Sequence, residues 1–349
     1  MKVYVLLIAI VLVGACAGTN DATQLFDIQL EGNKNKYKQN QSVGIAIKNK
    51  KNKTIDAIEY RIDGKVLPKI DKKITFDIQS LGSKKLIAKI DFDDTSVEIS
   101  KNIKVLSSKA PEIYTYNIIN TYPHDDKAYT QGLEFSGDTL YESTGKKGKS
   151  TLRKVDYKTG EVLDNIQLDN SVFGEGITLM NNKIYQLTWQ SGIGYVYDQT
   201  SFDKIESFTY GKSKEGWGLG NDGEKIFKSD GTEKIWYLDP ETLVETGYVE
   251  IVTNKSIFNR ANELEYVDGK LYANVYGKES MMIIDATSGA IEGVINFGGL
   301  KKLVDKSVED WDEQNSVLNG VAYHPTKKTF FVTGKNWNKL FEVEILKKE

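Results

Sequence analysis

The sequence is poor in the residues that carry redox and metal chemistry, with one cysteine and two histidines in 349 residues. A single cysteine cannot close an internal disulfide, and two histidines cannot supply a three-histidine metal site. Proline is also scarce, at 5, and neither charge dominates, with Lys+Arg 46 against Asp+Glu 49. Without a basic stripe, a nucleic-acid partner is not expected. Long apolar runs are missing after the first residues, so no later segment is expected to cross a membrane. What is plentiful is Tyr, at 19, and Gly, at 30. Together they suit an all-β protein with many tight turns.

The cysteine sits in an informative place. Met1-Lys2 is cationic, Val3 to Val13 is apolar but short for a membrane span, and Gly14-Ala15 precede Cys16. This is a signal-peptide layout, and Val13-Gly14-Ala15-Cys16 resembles a bacterial lipobox. Residues 1–15 are read as a lipoprotein signal peptide, Cys16 as the lipidated residue, and residues 16–25 as a tether. The expectation is an exported bacterial lipoprotein of the periplasm, outer membrane or cell surface, held at the membrane by that lipid alone.

Residues 26–106 read as short alternating strands: Phe26-Leu30, Val43-Lys48, Ala57-Ile62, Ile74-Ile78, Leu86-Phe92 and Val97-Val105. That density suggests a small immunoglobulin-like β-sandwich. Ser107 to Pro111 form a linker. Residues 112–349 then repeat. An apolar pair recurs as Leu140-Tyr141, Ile184-Tyr185, Ile226-Phe227, Leu271-Tyr272 and Phe330-Phe331. Asp156, Asp198, Asp239 and Asp285 follow at steps of 42, 41 and 46, with a degenerate fifth at Glu342-Val343-Glu344. The charged stretch Lys301 to Asn315 is an insertion. Five such units predict a five-bladed β-propeller.

The repeat also aligns Leu133, Ile177, Leu219, Leu264 and Val321. Two residues earlier stand Gln131, Glu175, Trp217, Asn262 and Asn319. Residues i and i+2 of a strand share a face, so these five are expected to ring the channel. A second ring holds Gly145, Trp189, Gly231, Tyr276 and Lys335, with the two glycines expected to leave space. Apolar walls with a few convergent polar groups describe a small-molecule pocket. Glu175 is the only carboxylate in the first ring. Flanking Gly174 and Gly176 are expected to admit a substrate's backbone.

These residues also carry a family resemblance. Tyr122-Pro123-His124-Asp125, Ala128 to Leu133, Phe173 to Thr178, Gln186 to Trp189, Glu215 to Leu219 and Ser229 to Thr232 resemble, in order, the motifs of the plant-type glutamine cyclotransferases. Asn262 to Tyr266, Leu318 to Tyr323 and Val332 to Lys335 continue the match. The resemblance implies a five-bladed propeller that cyclises N-terminal glutamine, and glutamate more slowly, with no cofactor and no catalytic metal. A structural cation in the channel is compatible with it. The family's catalytic acid corresponds to Glu175, and its pocket residues to Tyr129, Gln131, Phe173, Trp189, Trp217, Asn262, Tyr276 and Lys335. Tyr129 stands where phenylalanine is usual, and Tyr276 where tryptophan is usual. Asn319 joins the list from its ring position, as a substrate-binding or supporting residue.

The implied reaction is an attack by the substrate's α-amine on its own γ-carbonyl. A carboxyl group can move the proton, first as base and then as acid. Gln131, Asn262 and Lys335 can each donate to the oxyanion, and the sequence does not choose among them. Partners are then peptides or proteins with N-terminal glutamine, and the protein is expected to be a monomer. A non-catalytic binding module is the competing class, because propellers host many functions.

Overall fold

The computed structural model describes residues 19–349, so the signal peptide and Cys16 lie outside the described residues. After Leu25 the regular structure is β-strand, apart from the single-turn helices Glu31–Asn33 and Leu300–Lys302. The end of the expected tether differs, since Thr19–Leu25 is a short helix. Ala22 and Leu25 lie three apart, on one helix face, and Ala22 is buried. No helix among the described residues is long and apolar enough to cross a membrane.

The chain divides into two units. One runs through Ile78 and resumes at Lys84–Ile103, and the other takes Gln79–Ser83 and Lys104–Glu349. In the first, alternation does the work. Phe26–Leu30 buries every second residue, as a strand with one wet face must. This strand, Ser42–Asn49, Lys73–Thr75 and Lys69–Ile70 make one sheet. Lys36–Lys38, Thr95–Leu106, Gly82–Phe92, Ile55–Ile62 and Lys65–Val66 make the other. Phe26 of one sheet meets Phe92 of the other edge to face, with ring centroids 5.0 Å apart.

In the second unit, three antiparallel four-stranded sheets follow one another. They run from Thr130–Ser136 to Glu161–Gln167, from Gly174–Met180 to Lys204–Thr209, and from Leu219–Asn221 to Glu245–Glu250. An eight-stranded sheet takes the rest. It begins with the four strands from Ala261–Val267 to Ile291–Asn296 and continues into Glu112–Pro123. Lys339–Lys347, Thr329–Gly334 and Leu318–His324 complete it. Glu112–Pro123, which opens the unit, thus pairs antiparallel with the final strand of the chain. That closure explains the degenerate fifth repeat. Glu342 there is buried and accepts from Asn120 Nδ2 and the Tyr122 hydroxyl, both at 2.8 Å.

The first strand of each sheet touches the first strand of the next. A Cβ on Gly176 would lie 2.6 Å from Gly218 Cα, and one on Gly218 would lie 2.1 Å from the Asn262 carbonyl oxygen. Asn262 reaches Asn319, and a Cβ on Gly320 would lie 2.9 Å from Leu133. The five inner strands therefore close a circle. Between sheets the packing is apolar, as where Leu133 and Phe135 meet Ala322, Phe331 and Leu340.

Candidate active site

Four of the five inner strands slip register with their neighbour at the same step. The slips fall between Thr130 and Gly132, Gly174 and Ile177, Ala261 and Leu264, and Leu318 and Val321. Inside them lie Gln131, Glu175, Asn262 and Asn319. A bulge re-aims side chains and interrupts strict alternation. In these four repeats the positions are therefore equivalent because the strand bulges at the same point, and not because i and i+2 share a face; Trp217, the fifth, stands just before Leu219–Asn221, which pairs without a slip.

A cavity of about 280 Å³ opens over the bulges, with Glu175, Gln131 and Asn262 as its floor. Asn319, expected in the same ring, does not line it. It is fully buried behind the floor, where its Nδ2 donates to the Thr130 backbone carbonyl and to Gln131 Oε1, both at 2.9 Å. A backbone carbonyl can only accept, so this contact decides which end of the Asn319 amide carries nitrogen. Its oxygen then accepts from Asn262 Nδ2 at 2.9 Å, while Gln131 Nε2 donates to Glu175 Oε1 at 3.0 Å. The floor therefore has a direction. Each amide nitrogen spends one of its two N–H groups in this chain, but the Gln131 oxygen is taken by Asn319 while the Asn262 carbonyl oxygen is left for a ligand.

Aromatic rings stand around the floor as a collar. Tyr129 meets Phe173 at 6.0 Å between centroids, Phe173 meets Trp189 at 5.7 Å, and Trp217 meets Tyr276 at 5.3 Å. Lys335 closes the circle with its Nζ 4.8 Å from the Tyr129 centroid and 5.5 Å from that of Tyr276, within reach of a cation–π attraction. Trp189 and Tyr276 form the rim, each 38% exposed. Asn315, from the end of the charged insertion, completes the wall.

Burial governs the electrostatics. Glu175 is only 5% exposed, and desolvation lifts its carboxyl well above the usual range; Lys335 pulls it partly back and Glu215 adds to the rise. Desolvation likewise brings the Lys335 ammonium down to about 8, against the attraction of Glu175. The Tyr129 phenol is pushed up to about 12, mainly by burial. The site thus holds a carboxyl group whose grip on its proton is strengthened by burial beside an amine whose grip is weakened.

The glycines serve the protein and not a ligand, which corrects two expectations. A Cβ on Gly145 would fall 2.3 Å from the Phe173 ring, and one on Gly231 would fall 2.5 Å from the Trp217 indole. Their space is filled by the pocket's own walls. Gly174 lies against the Thr144 carbonyl and Gly176 against Gly218, with Cβ clearances of 2.7 and 2.6 Å, so they admit neighbouring strands. Neither histidine lines the cavity. His124 has its Nδ1 2.7 Å from the Trp337 carbonyl and its Nε2 3.1 Å from Glu142. Among the described residues, no group of three or more His, Cys, Asp or Glu is placed to hold a metal ion.

Two residues escaped the sequence analysis. Asn315 gave no signal, because its approach depends on how the insertion folds back. Glu215 did leave one, as an acid two residues before a tryptophan whose indole N–H needs an acceptor.

The glutamine cyclotransferase family model matches residues 92–345, which contain every residue of the cavity. A glutaminyl-peptide cyclotransferase of Arabidopsis thaliana is 38% identical over 241 residues, covering 69% of this chain and 73% of that protein. The crystal structure of Myxococcus xanthus glutaminyl cyclase matches with a TM-score of 0.63 at 31% identity, over 68% of this chain and 100% of that one. On this evidence of sequence and fold together, the chain belongs to the glutamine cyclotransferase family.

Proposed function

We propose that this protein is a glutaminyl-peptide cyclotransferase, closing the N-terminal glutamine of a peptide or protein into pyroglutamate with release of ammonia. The observation that carries this reading is Glu175. It is a buried carboxyl group on the cavity floor, with one oxygen bonded to Gln131 and the other taking no hydrogen bond from the described residues.

In the reaction, the α-amine attacks the γ-carbonyl carbon, and the new C–N bond pushes the carbonyl electrons onto oxygen. Holding both ends of one short chain in place supplies much of the rate advantage. Glu175 takes the proton that the attacking nitrogen sheds and returns it to the amide nitrogen, which leaves as ammonia. The direction of the floor assigns the remaining contacts. Asn262 accepts an N–H of the α-amine through its carbonyl oxygen. The second N–H of Gln131 and the Lys335 ammonium face the developing oxyanion. The rings of Phe173, Trp189 and Trp217 exclude water, and that burial favours the protonated form of Glu175. An N-terminal glutamate needs a protonated side chain and a neutral amine at once, so it cyclises more slowly.

The finer architecture belongs to the same reading. The closed circle of inner strands supports five blades, with Glu112–Pro123 as the outer strand of the fifth. The two facing sheets of the first unit support an immunoglobulin-like sandwich. The chemistry calls for no cofactor or metal, and residues 1–16 for export and lipid anchoring of a monomer at the bacterial envelope. Incubating the purified protein with a glutamine-initiated peptide should release ammonia and leave a peptide lighter by that mass. An unchanged peptide after prolonged incubation sinks the proposal.

A further inference from the structure

The aromatic collar is built in two halves, and one side chain spans the break. Phe173 and Trp189 belong to one half, Trp217 and Tyr276 to the other. Glu215 Oε2 accepts the indole N–H of Trp189 at 2.8 Å and that of Trp217 at 2.9 Å. Its other oxygen accepts from Gln190 Nε2 at 3.0 Å. Charge-assisted bonds of this kind are among the stronger ones a side chain makes.

The backbone behind Glu215 is itself pinned. Lys228 Nζ donates to the Glu215 carbonyl and to Ser213 Oγ, both at 2.6 Å. The Glu245 carboxylate accepts the backbone N–H groups of Gly211, Lys212 and Ser213. A firmly held main chain therefore presents one carboxylate to two indoles that come from different sheets. Both N–H groups are consumed, so neither indole can donate to a ligand.

We propose that Glu215 is a positioning residue for the cyclisation: it joins the two halves of the collar and sets the width of the slot that receives the glutamine side chain. The inference rests on the cyclotransferase reading for its substrate, but the clamp can be measured without one. Glu215 carries a second consequence through its charge. Partial burial pushes its carboxyl up, but the bonds from Trp217, Gln190 and Trp189 outweigh that and hold it below the usual range. A fixed anion there favours the protonated form of Glu175.

Glu215→Ala and Glu215→Gln separate the two effects. Glu215→Ala releases both indoles, so KM should rise about tenfold, the worth of hydrogen bonds to a charged group, with a smaller fall in kcat. Its ligand-free tryptophan emission should shift to the red, and that shift should vanish in a background lacking Trp189 and Trp217. Glu215→Gln keeps an acceptor oxygen but no charge. It should hold the wild-type emission, raise KM by less, and move the acid limb of the kcat–pH profile to lower pH. Unchanged emission and KM in Glu215→Ala would overturn the clamp, as would a Glu215→Gln protein equal to it in KM with an unmoved acid limb. If the wild-type protein forms no pyroglutamate, the cyclotransferase reading fails, while the emission shift still decides the clamp.

Discussion

Two buried glutamates on inner strands, Glu175 on Gly174–Met180 and Glu263 on Ala261–Val267, are alike in burial and differ in how their oxygens are bonded. Burial lifts both carboxyls well above the usual range, and Glu263 is raised further by Glu265 and Glu134. The Glu263 oxygens are both spoken for, one by the Leu133 backbone N–H at 3.2 Å and the other by that of Val321 at 2.9 Å. Those two donors belong to the first and last inner strands, so Glu263 staples the circle where it closes. Glu175 has one oxygen on Gln131 and the other without a bond from the described residues. A perturbed carboxyl is thus no sign of chemistry by itself. The distinguishing property is an unsatisfied lone pair beside a cavity.

The largest expected effect comes from exchanging the two residues for glutamine. Glu175→Gln should keep its fold and lose on the order of 10²–10⁴ in kcat, the usual contribution of a general acid–base. Steady-state ammonia release measures this, and near-normal turnover would break the comparison from one side. The pH profile sharpens it next. Above about 8, Lys335 loses its proton in the fold and with it a donor to the oxyanion. Below the substrate amine's pKa of roughly 7.7–8.0, the nucleophile is protonated. The kcat/KM profile should be a narrow bell, and Lys335→Met should abolish its alkaline limb at a lower maximum. A limb unmoved in that variant would take Lys335 out of the reaction.

Asn262 offers a smaller and more chemical test. If its carbonyl receives the amine, a glutamine peptide should bind the wild-type protein about tenfold better than the same peptide lacking the α-amine. In Asn262→Leu that difference should disappear. An equal difference in both proteins would show that the amine is held elsewhere.

Glu263→Gln should leave kcat intact and cost about 1–3 kcal/mol of stability, because an amide NH₂ would oppose a backbone N–H. The pH dependence has a definite sign. The Glu263 carboxyl is raised in the fold, so its stabilising effect is complete below the ordinary value of 4.5 and is lost as pH climbs towards the folded value. Wild type should therefore lose stability relative to Glu263→Gln as pH rises above that point, which urea titrations at several pH values will show. Loss of turnover in a folded Glu263→Gln protein would break the comparison from the other side. The smallest effect expected is none, since activity should survive dialysis against EDTA. Inactivation reversed by added zinc would contradict it.

Much of this arrangement was legible in the chain. Repetition at intervals of 42 to 45 residues, with a longer last step across the insertion, marked Gln131, Glu175, Trp217, Asn262 and Asn319 as equivalent positions, and the family motifs added Tyr129 and Phe173. Equivalence, however, is a property of the backbone and says nothing about which atoms meet. Asn319 occupies the ring position of Glu175, yet it turns to a carbonyl 189 residues away and never reaches the cavity. Gly145 and Gly231 are vacant positions in the repeat that the rings of Phe173 and Trp217 fill from elsewhere in the chain.

The sequence by itself determined the repeat, the aromatic character of the walls and the single carboxylate of the first ring. These are set by residue type and spacing, which a linear chain records directly. Only the tertiary structure decided the direction of the amide chain across the floor, the clamp of Glu215 on two indoles, the stapling of the inner strands by Glu263 and the approach of Asn315. Each of these is a directional contact between groups brought together by the closing of the circle. A hydrogen bond depends on the angle and separation of two atoms to within a fraction of an ångström, and the order of residues along a strand does not carry that information.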